Sequence, residues 1–111
     1  KEGKPQSIAI TFEGMKVVRK VLIQFQGGFA ATECQVMIDG SEESGTKWQA
    51  LQTLHPHDNN HPQEFQIAEE CLASTTGGGA TQNVRIVFPD STDQFGRVVV
   101  YKLNIYGTDA P

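Results

Sequence analysis

The densest chemistry in the chain is the run His55, Pro56, His57, Asp58, Asn59, Asn60 and His61, three imidazoles and a carboxylate within seven positions. Imidazoles and carboxylates at short spacing are the ordinary ligands of first-row metals. On a strand His55 and His57 would share a face, but Pro56 and the polar residues after it make this a loop. The histidines are therefore read as surface groups, and no metal or cofactor is assigned. Asp58, Asn59 and Asn60 suit a shaped loop for a plainer reason: they tolerate left-handed backbone and hydrogen-bond to nearby main chain. The glycine run Gly77, Gly78, Gly79 has neither the Lys nor the following helix of a phosphate-cradling loop. Cys34 falls inward on a strand, where a thiol behaves as a small hydrophobe and not as a nucleophile. No catalytic constellation emerges, and the chain is read as non-catalytic.

Two further groups could make contacts. Gly27 and Gly28 end a strand without side chains, which permits positive φ or close approach of another backbone, and lets Phe29 turn toward the core. In residues 90–97, Asp93 can accept from loop amides while Arg97 is placed to pair with a carboxylate. Phe95 precedes an apolar run and is expected to be buried, with Phe29 nearer the surface. On that reading Phe95→Ala costs about 3 kcal/mol or more and Phe29→Ala less.

These loops need a scaffold, and the residues between them supply one. A chain of 111 residues is one domain, long enough to bury a core without staples. With nine Lys and Arg, 13 Asp and Glu and a formal net charge of −4, it lacks the clustered basic excess of a nucleic-acid surface. The longest apolar run is residues 98–101, far short of a membrane span. Cys34 and Cys71 are read as free thiols, since two cysteines do not make a disulfide framework in a domain of this size.

The elements are short strands. Ile8, Ile10 and Phe12 alternate with polar or small residues over 6–12, and Glu13 with Gly14 is read as a turn. Val21, Ile23 and Phe25 share a face over 17–26, and Cys34, Val36 and Ile38 over 34–38, closed by the Asp39-Gly40 turn pair. Residues 41–46 read as a solvated acidic loop. Residues 48–54, with Trp48 buried, fit either a bulged strand or a helical turn. Residues 64–67 read as a strand, 68–73 as at most one helical turn, and 74–82 as mobile low-complexity chain. Val84, Ile86 and Phe88 line a strand that Pro89 stops. Residues 98–101 are apolar on both faces and are expected in the middle of a sheet. Strands 84–88 and 98–106 are either a wide hairpin or neighbours in two packed sheets. Seven or so short strands at this spacing predict an antiparallel β-sandwich.

Three separated motifs carry a resemblance: Ile23-Gln24-Phe25-Gln26-Gly27-Gly28-Phe29; Pro56, Asp58, Asn59 and Asn60 with Gln63, Phe65 and Ile67; and Asp90, Thr92, Asp93, Phe95, Gly96, Arg97, Val98 and Val99. In this order, over about residues 6–107, the chain resembles the testicular-orphan-receptor-associated protein family. That resemblance implies an all-β, antiparallel jelly-roll sandwich of the discoidin, galactose-binding-domain-like type. It also implies a non-catalytic intracellular module, in nucleus or cytoplasm, that binds a protein partner of the nuclear-receptor kind, without direct nucleic-acid or membrane contact. The partner-binding residues would be Gln26, Gly28, Phe29, Asp58, Asn59, Asn60, Asp93, Phe95 and Arg97. The alternative is a carbohydrate-binding, lectin-like module using the same loops, which needs an exposed aromatic platform. The chain departs from the family in two places. Residues 75–81 look like an insertion, and the family's longer amino-terminal stretch is missing ahead of residue 6. The expectation is a domain truncated at its amino terminus, with an uncovered sheet edge that tends to self-associate.

Overall fold

The computed structural model describes residues 6–39 and 47–110. It contains strands β1 (Gln6–Phe25), β2 (Cys34–Ile38), β3 (Gln49–Leu54), β4 (Gln63–Gln66), β5 (Ala80–Phe88) and β6 (Val100–Asp109), with one short helix, α1 (Glu69–Ala73). All strand pairings are antiparallel, in one six-stranded sheet of order β3-β2-β5-β1-β4, with β6 also paired to β1.

β1 dictates the architecture. Twenty residues of extended chain would span about 66 Å at 3.3 Å per residue, yet the longest molecular axis is 42 Å. The strand therefore bends, and its pairing with β5 breaks register between Thr11 and Lys16. Both ends of β1 return to the same place: the Val98 amide donates to Gln6 Oε1 at 2.7 Å, and the Gln26 amide donates to the Val99 carbonyl at 3.0 Å. The first arm of β1 lies beside β5, and the second arm lies between β4 and β6. One sheet thus curls into two facing layers. The expected turn at Glu13-Gly14 marks the bend, but the chain stays in strand geometry through it, so the two expected strands are one.

Between the layers lies the core. Val21, Ile23 and Phe25 of β1 meet Cys34, Val36 and Ile38 of β2 and Val84, Ile86 and Phe88 of β5, all buried. The Phe25 and Phe88 rings pack edge to face, 6.1 Å between centroids. Each of these triplets is the alternate-residue face expected of its segment. Cys34 and Cys71 are free thiols, and burial first, with the neighbouring Glu33 carboxylate second, pushes the Cys34 thiol up to about 12. It is inert as a nucleophile at neutral pH.

Several expectations are corrected. Residues 98–101 do not sit inside a sheet. β6 begins at Val100 and pairs only with β1, and Tyr101 is 60% exposed. The cause is a bulge: Gln24 faces Lys102 and Phe25 faces Val100, which leaves Tyr101 as the extra residue, turned outward. β5 and β6 are not a hairpin but belong to different layers. β5 reaches back to Ala80, and Thr81 is fully buried, so the end of the low-complexity stretch is strand and residues 74–79 form a hydrogen-bonded turn leading into it. Trp48 is half-buried and precedes β3, which is the bulged strand of the two readings. Asp39 adopts φ 60° as a turn residue should, while Gly40 and the acidic loop 41–46 lie outside the described residues.

Phe95 is the largest correction. It is 58% exposed, and the aromatics that fill the core are Phe25 and Phe88. Phe25→Ala is expected to cost about 3–5 kcal/mol and Phe95→Ala under about 1 kcal/mol in chemical denaturation. Equal losses for the two variants would refute this assignment.

Candidate functional site

Because both ends of β1 return to one end of the sandwich, three loops meet there: residues 26–33, 55–62 and 89–99. The first and third are joined by main chain. Thr92 donates to the Ala30 carbonyl at 2.9 Å, Val99 to the Phe29 carbonyl at 2.9 Å and Thr32 to the Asp90 carbonyl at 3.2 Å, and Ala31 bridges Ser91. The second loop is joined by side chains. Asn60 Oδ1 accepts the Gly27 amide at 2.5 Å, Asp58 Oδ1 accepts the Gly28 amide at 2.8 Å, and the Gln24 side-chain amide donates to the Asn60 carbonyl at 2.7 Å. Glycine is needed for this. A Cβ on Gly27 would sit 3.1 Å from Asn60 Oδ1, and Gly28 has φ +84°, a region that L side chains rarely adopt. Asn59 Oδ1 accepts the His61 amide, and the Gln63 side chain makes paired hydrogen bonds with the His57 main chain. The described residues contain no group of three or more His, Cys, Asp or Glu side chains that could share a metal ion.

At the tip of the third loop the side chains form one unit. The Asp93 carboxylate accepts the amides of Phe95 and Arg97 at 3.1 and 3.0 Å, and Arg97 Nε and Nη2 at 2.9 and 3.1 Å. The last two make a bidentate guanidinium–carboxylate pair. Asp93 is nearly covered, at 9% side-chain exposure, while Arg97 is 60% exposed. The guanidinium carbon lies 5.2 Å from the Phe29 ring centroid and 5.3 Å from that of Phe95, within cation–π range of both. Arg97 is thus clasped by two aromatic rings and anchored by a carboxylate that is itself tied to the loop backbone.

All nine expected site residues, Gln26, Gly28, Phe29, Asp58, Asn59, Asn60, Asp93, Phe95 and Arg97, lie at this end. They divide by what their polar atoms do. Gln26, through its amide to the Val99 carbonyl, and Gly28, Asp58, Asn59, Asn60 and Asp93 hold the loops in shape. Arg97 and Phe95 present exposed surface, with Phe29 half-buried beneath. Two contributors escaped the sequence reading. Tyr101 donates its hydroxyl to Gln26 Oε1 at 3.1 Å and is exposed because of the bulge. Ser91 is buried, donates to the Arg97 carbonyl at 2.5 Å and accepts the Asp93 amide at 3.1 Å. The Ser91-Thr92-Asp93 spacing is a turn signature that could have marked it.

No protein-family model matches the chain. Among curated proteins, it is 36% identical over 106 residues to Nuclear receptor 2C2-associated protein of Danio rerio, and 34% identical over 109 residues to the Homo sapiens protein of the same name. These alignments take in 96% of this chain and 67% and 68% of those proteins. In Xenopus laevis the protein of that name is 30% identical over 106 residues. Among solved structures, the C-terminal domain of a chitobiase from Bacteroides fragilis is similar with a TM-score of 0.64, at 13% identity, over 96% of this chain and 66% of that one.

The Arg97 side-chain hydrogen bonds are the main reason that the Asp93 carboxyl is lowered to about 2, with Arg97's charge and the loop amides adding to them. A carboxyl held below its unfolded value, about 3.9, contributes stability that is complete above that value and is lost as pH falls through the folded one. The stability that the clasp contributes is therefore expected to be complete at neutral pH and to fade between about pH 4 and 2, and the clasp itself to open as pH falls through about 2. A carboxyl-carbon NMR titration should give Asp93 a midpoint near 2, and a midpoint at the unperturbed value would contradict the pairing.

Proposed function

The chain belongs to the nuclear receptor 2C2-associated protein family, and from that membership we propose that it is a non-catalytic protein-interaction module, an adaptor that engages a nuclear receptor without any cofactor. The names of its relatives support a receptor as the partner class. One observation supports the loop end as the contact surface: Arg97 held between Phe29 and Phe95 by Asp93. Arg and aromatic side chains that are partly exposed and fixed in place are the usual carriers of binding energy in protein interfaces, and here part of the fixing is already present in the unbound chain. An intracellular location, in nucleus or cytoplasm, follows from such a partner. The curled antiparallel sheet and its likeness to a solved β domain support reading the architecture as a discoidin-type, galactose-binding-like jelly roll.

The test is calorimetric titration of the chain into purified nuclear receptor 2C2. Binding is expected, with Arg97→Ala and Phe95→Ala each weakening it by about tenfold or more and neither unfolding the chain. Absence of binding up to about 100 µM, or binding indifferent to both variants, would overturn the reading. Recognition of a glycan array through the same residues would favour the lectin-like alternative.

A further inference from the structure

Among the described residues, no strand occupies the lane beside the first arm of β1. Around the bend, Lys16 and Val17 pair with Thr81 and Ala80 of β5 and also with Asp109 and Thr108 of β6, so β5 and β6 flank β1 on opposite edges. Above that point the first arm keeps β5, but β6 follows the second arm into the other layer. Among the described residues no strand pairs with the opposite edge of residues 6–12. The lane is bounded at one end by the hydrogen bond from Val98 to Gln6 and at the other by that from Ala110 to the Met15 carbonyl.

Apolar surface lies open along it. A hollow of about 170 Å³ is lined by Ile8, Phe88, Val98 and Val100, and one of about 230 Å³ by Phe12, Val17, Val18 and Ile105 beside the Lys16–Asp109 ion pair. Ile8, Ile10 and Phe12 are only half-buried, and Ser7, Ala9 and Thr11 are exposed. Free edges in native sheets are usually blunted by charge, proline or a bulge. Residues 6–12, Gln-Ser-Ile-Ala-Ile-Thr-Phe, carry neither charge nor proline.

We propose that this edge pairs with the same edge of a second copy, joining two curled sheets across a twofold axis. The segment suits itself. Antiparallel pairing centred on Ala9 sets Ser7 against Thr11, Ile8 against Ile10 and Gln6 against Phe12, with no like charges opposed, and β-branched and hydroxyl cross-strand pairs are favourable ones. The interface is isologous and closes at two copies. The pairing uses the main chain of residues 6–12 and does not depend on the receptor reading.

Sedimentation of the whole chain from about 1 µM to 1 mM should show a monomer–dimer equilibrium. Ala9→Lys, at an exposed position, puts two ammonium groups face to face on the axis and should weaken dimerisation at least tenfold while leaving the fold intact by circular dichroism. Ala9→Cys should cross-link two chains under mild oxidation, since directly opposed residues of an antiparallel pair are about 4.5–5.5 Å apart at Cα, within disulfide reach. The unsubstituted chain, with its own two cysteines, is the control and should stay uncrosslinked. A monomer at every concentration overturns the proposal, as does a dimer indifferent to Ala9→Lys. Two other results assign the lane elsewhere and overturn it too: free-edge amides of residues 6–12 protected from hydrogen exchange in a monomer, which means that the chain covers its own edge, or receptor binding lost in Ala9→Lys with no dimer, which means a strand from the partner.

Discussion

The bend of β1 is the constraint from which the rest of the molecule follows. A single strand serves both layers, so every hydrogen bond that β1 makes with β5 fixes one layer, and every one that it makes with β4 and β6 fixes the other. The layers cannot slide independently, because their register is covalently linked through residues 11–16. Shifting either arm by one residue would send its buried face to solvent, and Val21, Ile23 and Phe25 on the second arm, with Ile8 and Phe12 on the first, oppose that shift. Gly14 in the bend has nothing within 4 Å of where a Cβ would stand. Steric room therefore does not force glycine at this point, and the bend is set by the pairings on either side.

The same bend makes the loop end. A strand that doubles back returns its own ends to one place, and there Gln6 and Gln26 both bond to the chain entering β6. The loops that follow β1 and β5 are then close enough to share main-chain hydrogen bonds. The β3–β4 loop, arriving beside them, is bound by Asp58 and Asn60 to the two glycine amides. Rigidity at the tip is thus inherited from the sheet through a short series of hydrogen bonds, not from local sequence alone.

Much of this was legible in the alternation of residue types. The buried triplets of β1, β2 and β5 read correctly because one face of each strand is covered and the other is not. The hydrogen bonding of Asp93 and Arg97 read correctly because a short acidic side chain near loop amides and an Arg four residues on have few other ways to satisfy themselves. What failed depends on information that a period-two pattern does not carry. The bulge opposite Gln24 and Phe25 adds one residue to β6 and reverses the direction of Tyr101, and nothing in Val98-Val99-Val100-Tyr101 announces it. Phe95 sits beside an apolar strand in sequence, but the Asp93 hydrogen bonds to the amides of residues 95 and 97 curl the loop and turn the ring outward onto Arg97. Glycine content likewise did not announce the turn at residues 77–79, where three positive φ values lead the chain into β5.

The clasp around Arg97 also bears on what kind of surface the loop end can be. An exposed arginine ordinarily loses rotamer freedom when it is captured by a partner, and that loss weakens binding. Here the side chain is already confined by the bidentate pair with Asp93 and by two rings within cation–π range, so part of the ordering has occurred on folding. Its charge is also largely answered by Asp93, which reduces long-range attraction for acidic surfaces. What stays open to solvent is the outer edge of the guanidinium and the exposed ring of Phe95, a surface with a few directed donors. Such a surface discriminates by shape and hydrogen-bond direction more than by net charge, which is consistent with a chain whose basic residues are otherwise scattered and whose overall charge is negative.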